Sequence, residues 1–426
     1  MSFPHLPLSA LRHQGHNKRK EKFTEMSEPL PQELHIDILV SLPVKSLLRF
    51  QCVSKSWKSL IGSTDFISMH TKHNESTDNY AHLVEGDLYR TGKKEEKDFR
   101  GELHQFDNFF CEFKKIEFPS QTEDGCFGTV LDCKGLLLFT DPWVLNGDRF
   151  ERFILWNPAA RLTMTLPTPC IDIPNLNFSA HGFGFDDESS DYKVLRMVYG
   201  YNGRYIAEAA ELFKLRTGAW ETVSAIDDFH YVIPKPEIYT RPSHRAQAFV
   251  NGATHWVGYH SRFLKYPHIQ KELVVLLFRM SSEEFRVMKL PDVITVSKFS
   301  SISLGVSGGL LSVIHYNGVL RGNGSYNGCC VWLMKEYGVI ESWTKQCTID
   351  LRDEGGLWET ISFRNKRVLL VIVSKRKNSK KLGLYDPKTN RFLHHGIRSR
   401  SCLNIMNTYV ESLVLLDQKV NAVPDY

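Results

Sequence analysis

The sequence predicts a mainly β protein with a small N-terminal α module, in which three short helices precede a β-propeller of about six blades. Three observations predict it. Residues 30–61 are dense in Leu at helical spacing and contain no Gly. From Tyr80 onward, runs of β-branched, aromatic and aliphatic residues alternate with Gly, Asn, Asp and Pro, the pattern of short strands and turns. One of these strand patterns recurs six times, its first aromatics standing 50, 57, 65, 54 and 53 residues apart.

A chain of 426 residues has room for a small module and one large repeat domain. The net charge of +5 is small for this length and does not suggest a nucleic-acid partner, which would call for clustered Lys and Arg on one face. No apolar run approaches the roughly 20 residues needed to span a bilayer, so no membrane partner is expected. The first residues hold no apolar signal core, and Lys18, Arg19 and Lys20 interrupt the stretch. The nine Cys are odd in number and none are paired at a two-residue gap, which reads as reduced, mostly buried thiols in a cytoplasmic or nuclear protein. The sequons at Asn74, Asn177 and Asn323 would then go unused.

Residues 1–28 are polar, basic in the middle and without periodicity, and are expected to form a disordered arm. The helical module is expected over 29–70. Pro31 suits a first helical position, and Leu34, Ile38, Leu39 and Leu42 then share a face. Pro43 ends that helix and starts a second, in which Val44, Leu47 and Leu48 repeat the pattern, with Phe50 and Val53 beyond. Ser54 is an N-cap for a third helix with Trp57, Leu60 and Ile61 on its apolar side, and Gly62 supplies the stop. A further short helix after Thr64 would carry Phe66, Ile67 and Met69. Helices of this length cannot bury so much apolar surface among themselves. Pattern alone leaves two covers open: an outside partner, or the strands that follow.

Residues 71–79 are polar and read as a linker, and the mixed-charge run 92–100 reads as an exposed hairpin tip. The propeller is expected over 80–418, with a short tail at 419–426. Its recurring unit is a strand bearing an aromatic, a polar turn and a second strand, with Phe106, Trp156, Phe213, Phe278, Trp332 and Tyr385 aligned. A second aromatic follows seven residues later at Phe113, Trp220, Phe285 and Phe392. Thr163 takes that place after Trp156, and Trp343 stands eleven residues beyond Trp332, which fits a hairpin four residues longer. Further hairpin patterns lie between the copies, starting at Gly182, Ala248, Ser303 and Thr360, so that each period holds four strands. Four strands every 50 residues or so make a propeller blade; a β-sandwich with chance aromatic strands is the alternative. The last copy ends near Ile397, and Asn404–Leu416 supplies a further hairpin-like pair. The C-terminal strands are therefore expected to complete the blade begun by residues 80–118, protecting both strand edges. A propeller closed in this way does not need the helical module as core, which is expected to leave the module's apolar stripe free for an outside partner.

The run Leu30-Pro31, Leu34, Ile38-Leu39, Leu42 through Phe50, Cys52 through Trp57 and Leu60-Ile61 closely resembles the F-box in its plant form. That resemblance implies docking to a Skp-type adaptor, which bridges to a cullin scaffold. The implied adaptor anchors are Leu30, Pro31, Leu34, Ile38, Leu39, Leu42, Pro43, Val44, Leu47 and Leu48, with Val53, Trp57, Leu60 and Ile61 shared between docking and the module's own core. The contact would be a helix-in-groove one. The region behind it resembles the plant F-box-associated domain, related to kelch propellers, through Leu155-Trp156-Asn157-Pro158, the stretch His181 to Asp186, Tyr192-Lys193-Val194, and Asn251 to Trp256. The family name overlaps with proteins that act in pollen self-incompatibility and in defence signalling, and nothing in the sequence separates these roles.

No catalytic set, metal site or cofactor motif emerges. There is no P-loop, no G-x-S-x-G and no His pair at helical zinc spacing. His394 and His395 would point to opposite faces of a strand. Asp186, Asp187, Glu188 and Asp191 read as a solvated hairpin turn, and the glycines at 305, 308, 309, 322, 324 and 328 as turn residues. What the F-box resemblance implies, with a repeat domain behind it, is a non-catalytic substrate receptor in an SCF-type ubiquitin ligase, whose propeller holds an unidentified target protein. The alternatives are a propeller enzyme with an active site in its channel and an F-box scaffold acting outside a ligase. Segments 199–206, 227–243 and 315–328 are the expected target-contact loops.

Overall fold

In the computed structural model, the described residues are 31–77, 81–90, 103–106, 113–116, 129–145, 148–171, 178–199, 207–223, 231–232, 247–260, 273–294, 301–317, 326–350, 357–364, 367–373 and 380–414. The expected N-terminal arm, Leu30, the hairpin tip at 92–100, the C-terminal tail and most of the three expected contact loops lie outside them.

Four helices open the chain: α1 (Gln32–Val40), α2 (Val44–Phe50), α3 (Lys55–Ile61) and α4 (Thr64–Ser76). Pro31 stands just before α1 as its cap, one place earlier than expected, and Pro43 caps α2. The Ser54 side chain accepts the Trp57 N–H at 3.2 Å, satisfying one of the amides that the start of α3 leaves without an intrahelical partner. The fourth helix differs from its expectation. Ser63 caps it, accepting the Phe66 N–H at 3.3 Å, and at 13 residues it is the longest of the four. It runs through 71–76, which the sequence offered as linker, because His70, Thr71 and Asn74 are buried rather than solvated.

Strands follow. They are β1 (Ala81–Arg90), β2 (Leu103–Phe106), β3 (Phe113–Ile116), β4 (Thr129–Cys133), β5 (Leu136–Leu145), β6 (Asp148–Asn157), β7 (Leu162–Thr165), β8 (Phe178–Asp186), β9 (Asp191–Tyr199), β10 (Ala207–Lys214), β11 (Ala219–Thr222), β12 (Tyr231–Val232), β13 (Ala248–Val250), β14 (Ala253–His260), β15 (Leu273–Arg279), β16 (Glu284–Lys289), β17 (Ser301–Ser307), β18 (Leu310–Asn317), β19 (Gly328–Met334), β20 (Trp343–Asp350), β21 (Leu357–Arg364), β22 (Arg367–Val373), β23 (Lys380–Asp386) and β24 (Arg391–Tyr409). They form four separate blades: β4–β7, β8–β11, β12–β16 and β17–β20. A seven-stranded sheet, in the order β21-β22-β23-β24-β1-β2-β3, completes the set. The fold is a β-propeller behind a small helical module.

The aromatic repeat has a physical basis in the registers. Phe213 lies opposite Trp220, Phe278 opposite Phe285, and Tyr385 opposite Phe392, with ring centroids 5.5, 4.9 and 4.9 Å apart. Phe106 likewise faces Phe113, and Trp156 faces Thr163. The three aromatic pairs in ring contact contribute roughly 0.5–1.5 kcal/mol each beyond the area they bury. The Trp332 copy departs from the expectation. A bulge next to Trp332 sets it opposite Lys345, and Trp343 pairs with Met334 instead.

The sheets pack side by side. Leu138, Phe153 and Leu155 of the first blade meet Phe183, Val194 and Phe213 of the second. Leu195 and Leu212 of the second meet Trp256 and Phe278 of the third. Neighbouring sheets touch in turn: β4 with β8, β8 with β14, β13 with β17, β17 with β21, β21 with β24, and β24 with β4. The ends of the strand region come together as expected, since β1 pairs with β24. The chemistry of that junction differs, however. Residues 391–409 form one 19-residue strand that pairs with β23 early and β1 late, and 410–414 is irregular, so the described residues contain no final hairpin.

Antiparallel neighbours place successive links at alternate ends of a sheet. The tight turns at 134–135, 158–161, 187–190, 215–218, 251–252, 280–283 and 308–309 therefore share one face of the propeller. The strand ends at Tyr199 and Ala207, and at Asn317 and Gly328, lie at the other. At the turn Asn251-Gly252 both residues have positive φ, 52° and 70°, the geometry a two-residue hairpin demands.

Candidate functional site: the helical module and its neighbours

The module's apolar residues divide into two sets. Leu39, Val44, Leu47, Ile61 and Phe66 are buried and form one cluster, and Leu42, Leu48, Phe50, Trp57 and Leu60 pack half-buried around it. Phe50 and Trp57 meet edge to face at 5.3 Å. Leu34 and Ile38, one helical turn apart, are 47% and 52% exposed, and Val53, between α2 and α3, is 65% exposed. Pro31 and Pro43 are exposed as well. The fourteen anchors implied by the F-box resemblance thus do not form one accessible stripe. Leu39, Val44, Leu47 and Ile61 are core residues of this chain, and Leu30 lies outside the described residues.

The sequence reading also placed the module apart from the propeller's packing. The structure corrects this, because Leu413, beyond the last strand, is 1% exposed and belongs to the module's cluster, as does Ala159 at its edge. A polar seam runs beside them. His70 Nε2 lies 3.0 Å from the Leu42 carbonyl, which can only accept, so that nitrogen carries the proton. Nδ1 is then free to accept from Asn74 Nδ2 at 3.3 Å. Burial lowers the His70 pKa, against the opposing pull of that carbonyl and of Glu411, which keeps the ring neutral. Met69 on α4 is 40% exposed and adds an apolar residue to the surface that the anchor set omitted. A sign of where α4 starts was present in the sequence: a Ser63 cap with Asp65 in the first turn.

Among the described residues the propeller holds two buried charge clusters. Arg196 Nε donates to Glu151 at 2.9 Å and Nη1 donates to Glu211 at 2.5 Å, joining the first blade to the second. Glu211 also accepts the Cys170 and Ile171 N–H groups. Burial alone would raise the Glu151 carboxyl, but His181, Arg196 and Ser179 outweigh it and hold the pKa down to about 2. Ser179, His181 and Glu151 supply the residue types of a hydrolytic triad but not its geometry. Ser179 Oγ and Glu151 both approach the same ring nitrogen, Nε2, at 3.0 and 3.4 Å. A relay needs the carboxylate on Nδ1, leaving Nε2 to take the serine proton. The second cluster corrects half of the reading of the acidic turn, in which Asp187 and Glu188 are exposed as expected. Asp186 and Asp191 are 4% exposed, with Lys193 donating to Asp186 at 2.9 Å and the Arg216 N–H donating to Asp191 at 2.9 Å. No group of three or more His, Cys, Asp or Glu among the described residues is arranged to hold a metal ion.

The sequence matches the F-box domain over residues 28–68 and the F-box associated beta propeller domain over residues 114–416. The chain belongs to the F-box associated β-propeller family. It is a plant-type F-box protein, with the helical module as its F-box. Among its relatives in Arabidopsis thaliana, the F-box/kelch-repeat protein At3g23880 is 25% identical over 92% of this chain and 98% of that one. F-box protein CPR1 is 25% identical over 91% and 89%. F-box protein At3g16210 is 28% identical, across only 62% of either chain. Solved structures that align include TolB from Acinetobacter baumannii, with a TM-score of 0.39, 10% identity and coverage of 77% of this chain and 66% of TolB. Likeness at that level carries no functional information.

Proposed function

We propose that this F-box protein is the substrate-recognition subunit of an SCF-type ubiquitin ligase. The F-box docks the Skp-type adaptor, which links to the cullin, and the propeller holds a target protein for ubiquitination and degradation. The observation that carries this reading is an F-box whose core is complete while Leu34, Ile38 and Val53 remain exposed. Isolated exposed apolar residues are ordinary, but three on one small module fit the spaced anchors of a helix-in-groove contact. The docking set is Leu30, which lies outside the described residues, with the exposed Pro31, Leu34, Ile38, Pro43 and Val53, and with Leu42, Leu48, Trp57 and Leu60 at its margin. Leu39, Val44, Leu47 and Ile61 support it from beneath.

The seven-stranded sheet reads as two blades sharing the long strand β24, which makes six blades in all. Contacts that run from β4 round to β24 and back to β4 support this count. The F-box packs beside Ala159 in a tight turn, so the face with the longer links points away from it and is free for the target. The receptor raises the target's effective concentration near the transferred ubiquitin and supplies no nucleophile of its own. The protein would work in the cytoplasm, the nucleus or both, without cofactor, nucleic acid or membrane. Co-purification with a plant Skp-type adaptor tests the docking half of the proposal. Absence of binding by the intact chain would overturn it.

A further inference from the structure

The chain leaving β24, residues 410–414, is irregular, yet Val410, Ser412 and Leu413 are 7%, 0% and 1% exposed. Its alternate residues face opposite neighbours, as an extended segment requires. Glu411 and Leu413 turn toward the F-box. The Glu411 carboxylate accepts the Val44 N–H at 3.2 Å, at the start of α2, where the helix has no acceptor of its own. Leu413 fills the cluster of Leu39, Val44, Leu47, Ile61 and Phe66. Ser412 and Val414 turn toward the first blade. Asn157, fully buried at the end of β6, donates from Nδ2 to the Ser412 carbonyl at 2.9 Å and to the Val414 carbonyl at 2.8 Å. Its Oδ1 accepts from the Ala159 and Ala160 N–H groups at 3.1 Å, so the side chain is held from both ends. Val414 packs on the core between the first two blades. The segment passes so close to Gly135 that a Cβ there would stand 2.4 Å from the Ser412 Cβ and 2.5 Å from the Val410 carbonyl oxygen.

We propose that residues 410–414 are a two-faced tie that locks the F-box onto the first blade, and that this tie sets the direction in which the opposite propeller face presents a target. The first half stands on the contacts alone; the second rests on the ligase-receptor reading. Asn157, within the Trp156-Asn157-Pro158 element of the repeat, is the positioning residue on the propeller side, and Glu411 and Leu413 are those on the F-box side. The buried anchors Val44 and Leu47 are then covered from within the chain, and docking is left to the exposed set.

The test uses the full chain, with spin labels at Lys58 on α3 and at Arg216 in the β10–β11 turn, in a background whose label-reactive cysteines are replaced by serine. The parent protein is expected to give one narrow distance distribution. Glu411→Ala with Leu413→Ala, and separately Asn157→Ala, are each expected to broaden it at least twofold while circular dichroism retains the parent's spectrum. Asn157→Ala leaves the F-box core untouched, so its result stands even where the double variant loosens the helices. A narrow distribution in Asn157→Ala would overturn the tie. So would a tenfold gain in adaptor binding by the double variant, since the segment would then be an occluding strap. The distances are measured without adaptor, so failure of the adaptor to bind the parent would count against the ligase reading and not against the tie.

Discussion

Lys193 on the second blade donates to Glu283 on the third at 2.8 Å, and the lysine side chain is only 4% exposed. It also donates to Asp186 at 2.9 Å and to the Met280 carbonyl at 2.7 Å, so its three protons are all used. Glu283 in turn accepts from Lys214 at 3.0 Å. Adjacent blades are thus joined by a charge network as well as by apolar packing.

Removing the Lys193 charge strands a buried carboxylate. Lys193→Met is expected to cost about 3–5 kcal/mol, the usual result of breaking a buried ion pair from one side. Lys193→Met combined with Asp186→Leu should recover much of that loss. Urea unfolding of the two variants checks both, and equal midpoints for them would contradict the account.

The exposed and buried F-box residues should respond differently to charge. Leu34→Asp with Ile38→Asp is expected to weaken adaptor binding at least a hundredfold while the melting temperature stays within a few degrees of the parent. Leu47→Asp places a carboxylate in a fully buried site and is expected to unfold the module itself. Calorimetric titration with adaptor, paired with thermal melts, separates lost docking from lost folding.

Acid should destabilise the third and fourth blades through His255. The ring is fully buried, lies 2.9 Å from the Ala248 carbonyl and 2.7 Å from the Tyr337 hydroxyl, and burial lowers its pKa from 6.5 to about 4. The unfolded chain therefore binds this proton first, and stability falls as pH drops from 6.5 to about 4. The loss is on the order of 3 kcal/mol. Glu151, held down to about 2 from 4.5, adds a second loss as pH falls through 4.5 toward 2. His255→Gln is expected to flatten the upper part of the stability profile and leave the lower part unchanged, as followed by urea unfolding across that range.

Two glycines with similar backbone angles should differ sharply. Gly135 has φ +82° and lies against residues 410–412, whereas Gly252 has φ +70° and open space where a Cβ would stand. Gly252→Ala is expected to cost about 1 kcal/mol, the left-handed conformation alone. Gly135→Ala adds a steric clash and should cost on the order of 3 kcal/mol. Thermal melts of the two variants compare them directly.

The local patterns in this sequence were strong enough to read. Period-3.6 Leu and two prolines delimited the first helices, Ser54 marked the third, and aromatics seven residues apart marked paired strands, because a two-strand hairpin puts them opposite one another. The F-box motif was equally legible, since its run of apolar and capping residues is contiguous. What sequence could not supply was any statement that depends on residues far apart meeting. The length of α4 was hidden because His70, Thr71 and Asn74 look solvated until a buried neighbour is known. Asp186 and Asp191 looked like a turn in water until Lys193 and the Arg216 amide were placed beside them.

The division between docking and core residues belongs to the same class. By itself the sequence determined that an apolar helical module precedes a repeating β domain, because spacing along the chain is a local property. Only the tertiary structure decided which side of that module is covered. Leu413 and Glu411 lie far along the chain from Val44 and reach it because the pairing of β1 with β24 returns the end of the chain to its start. No periodicity records that contact, and burial follows from where the chain returns, not from how hydrophobic a residue is.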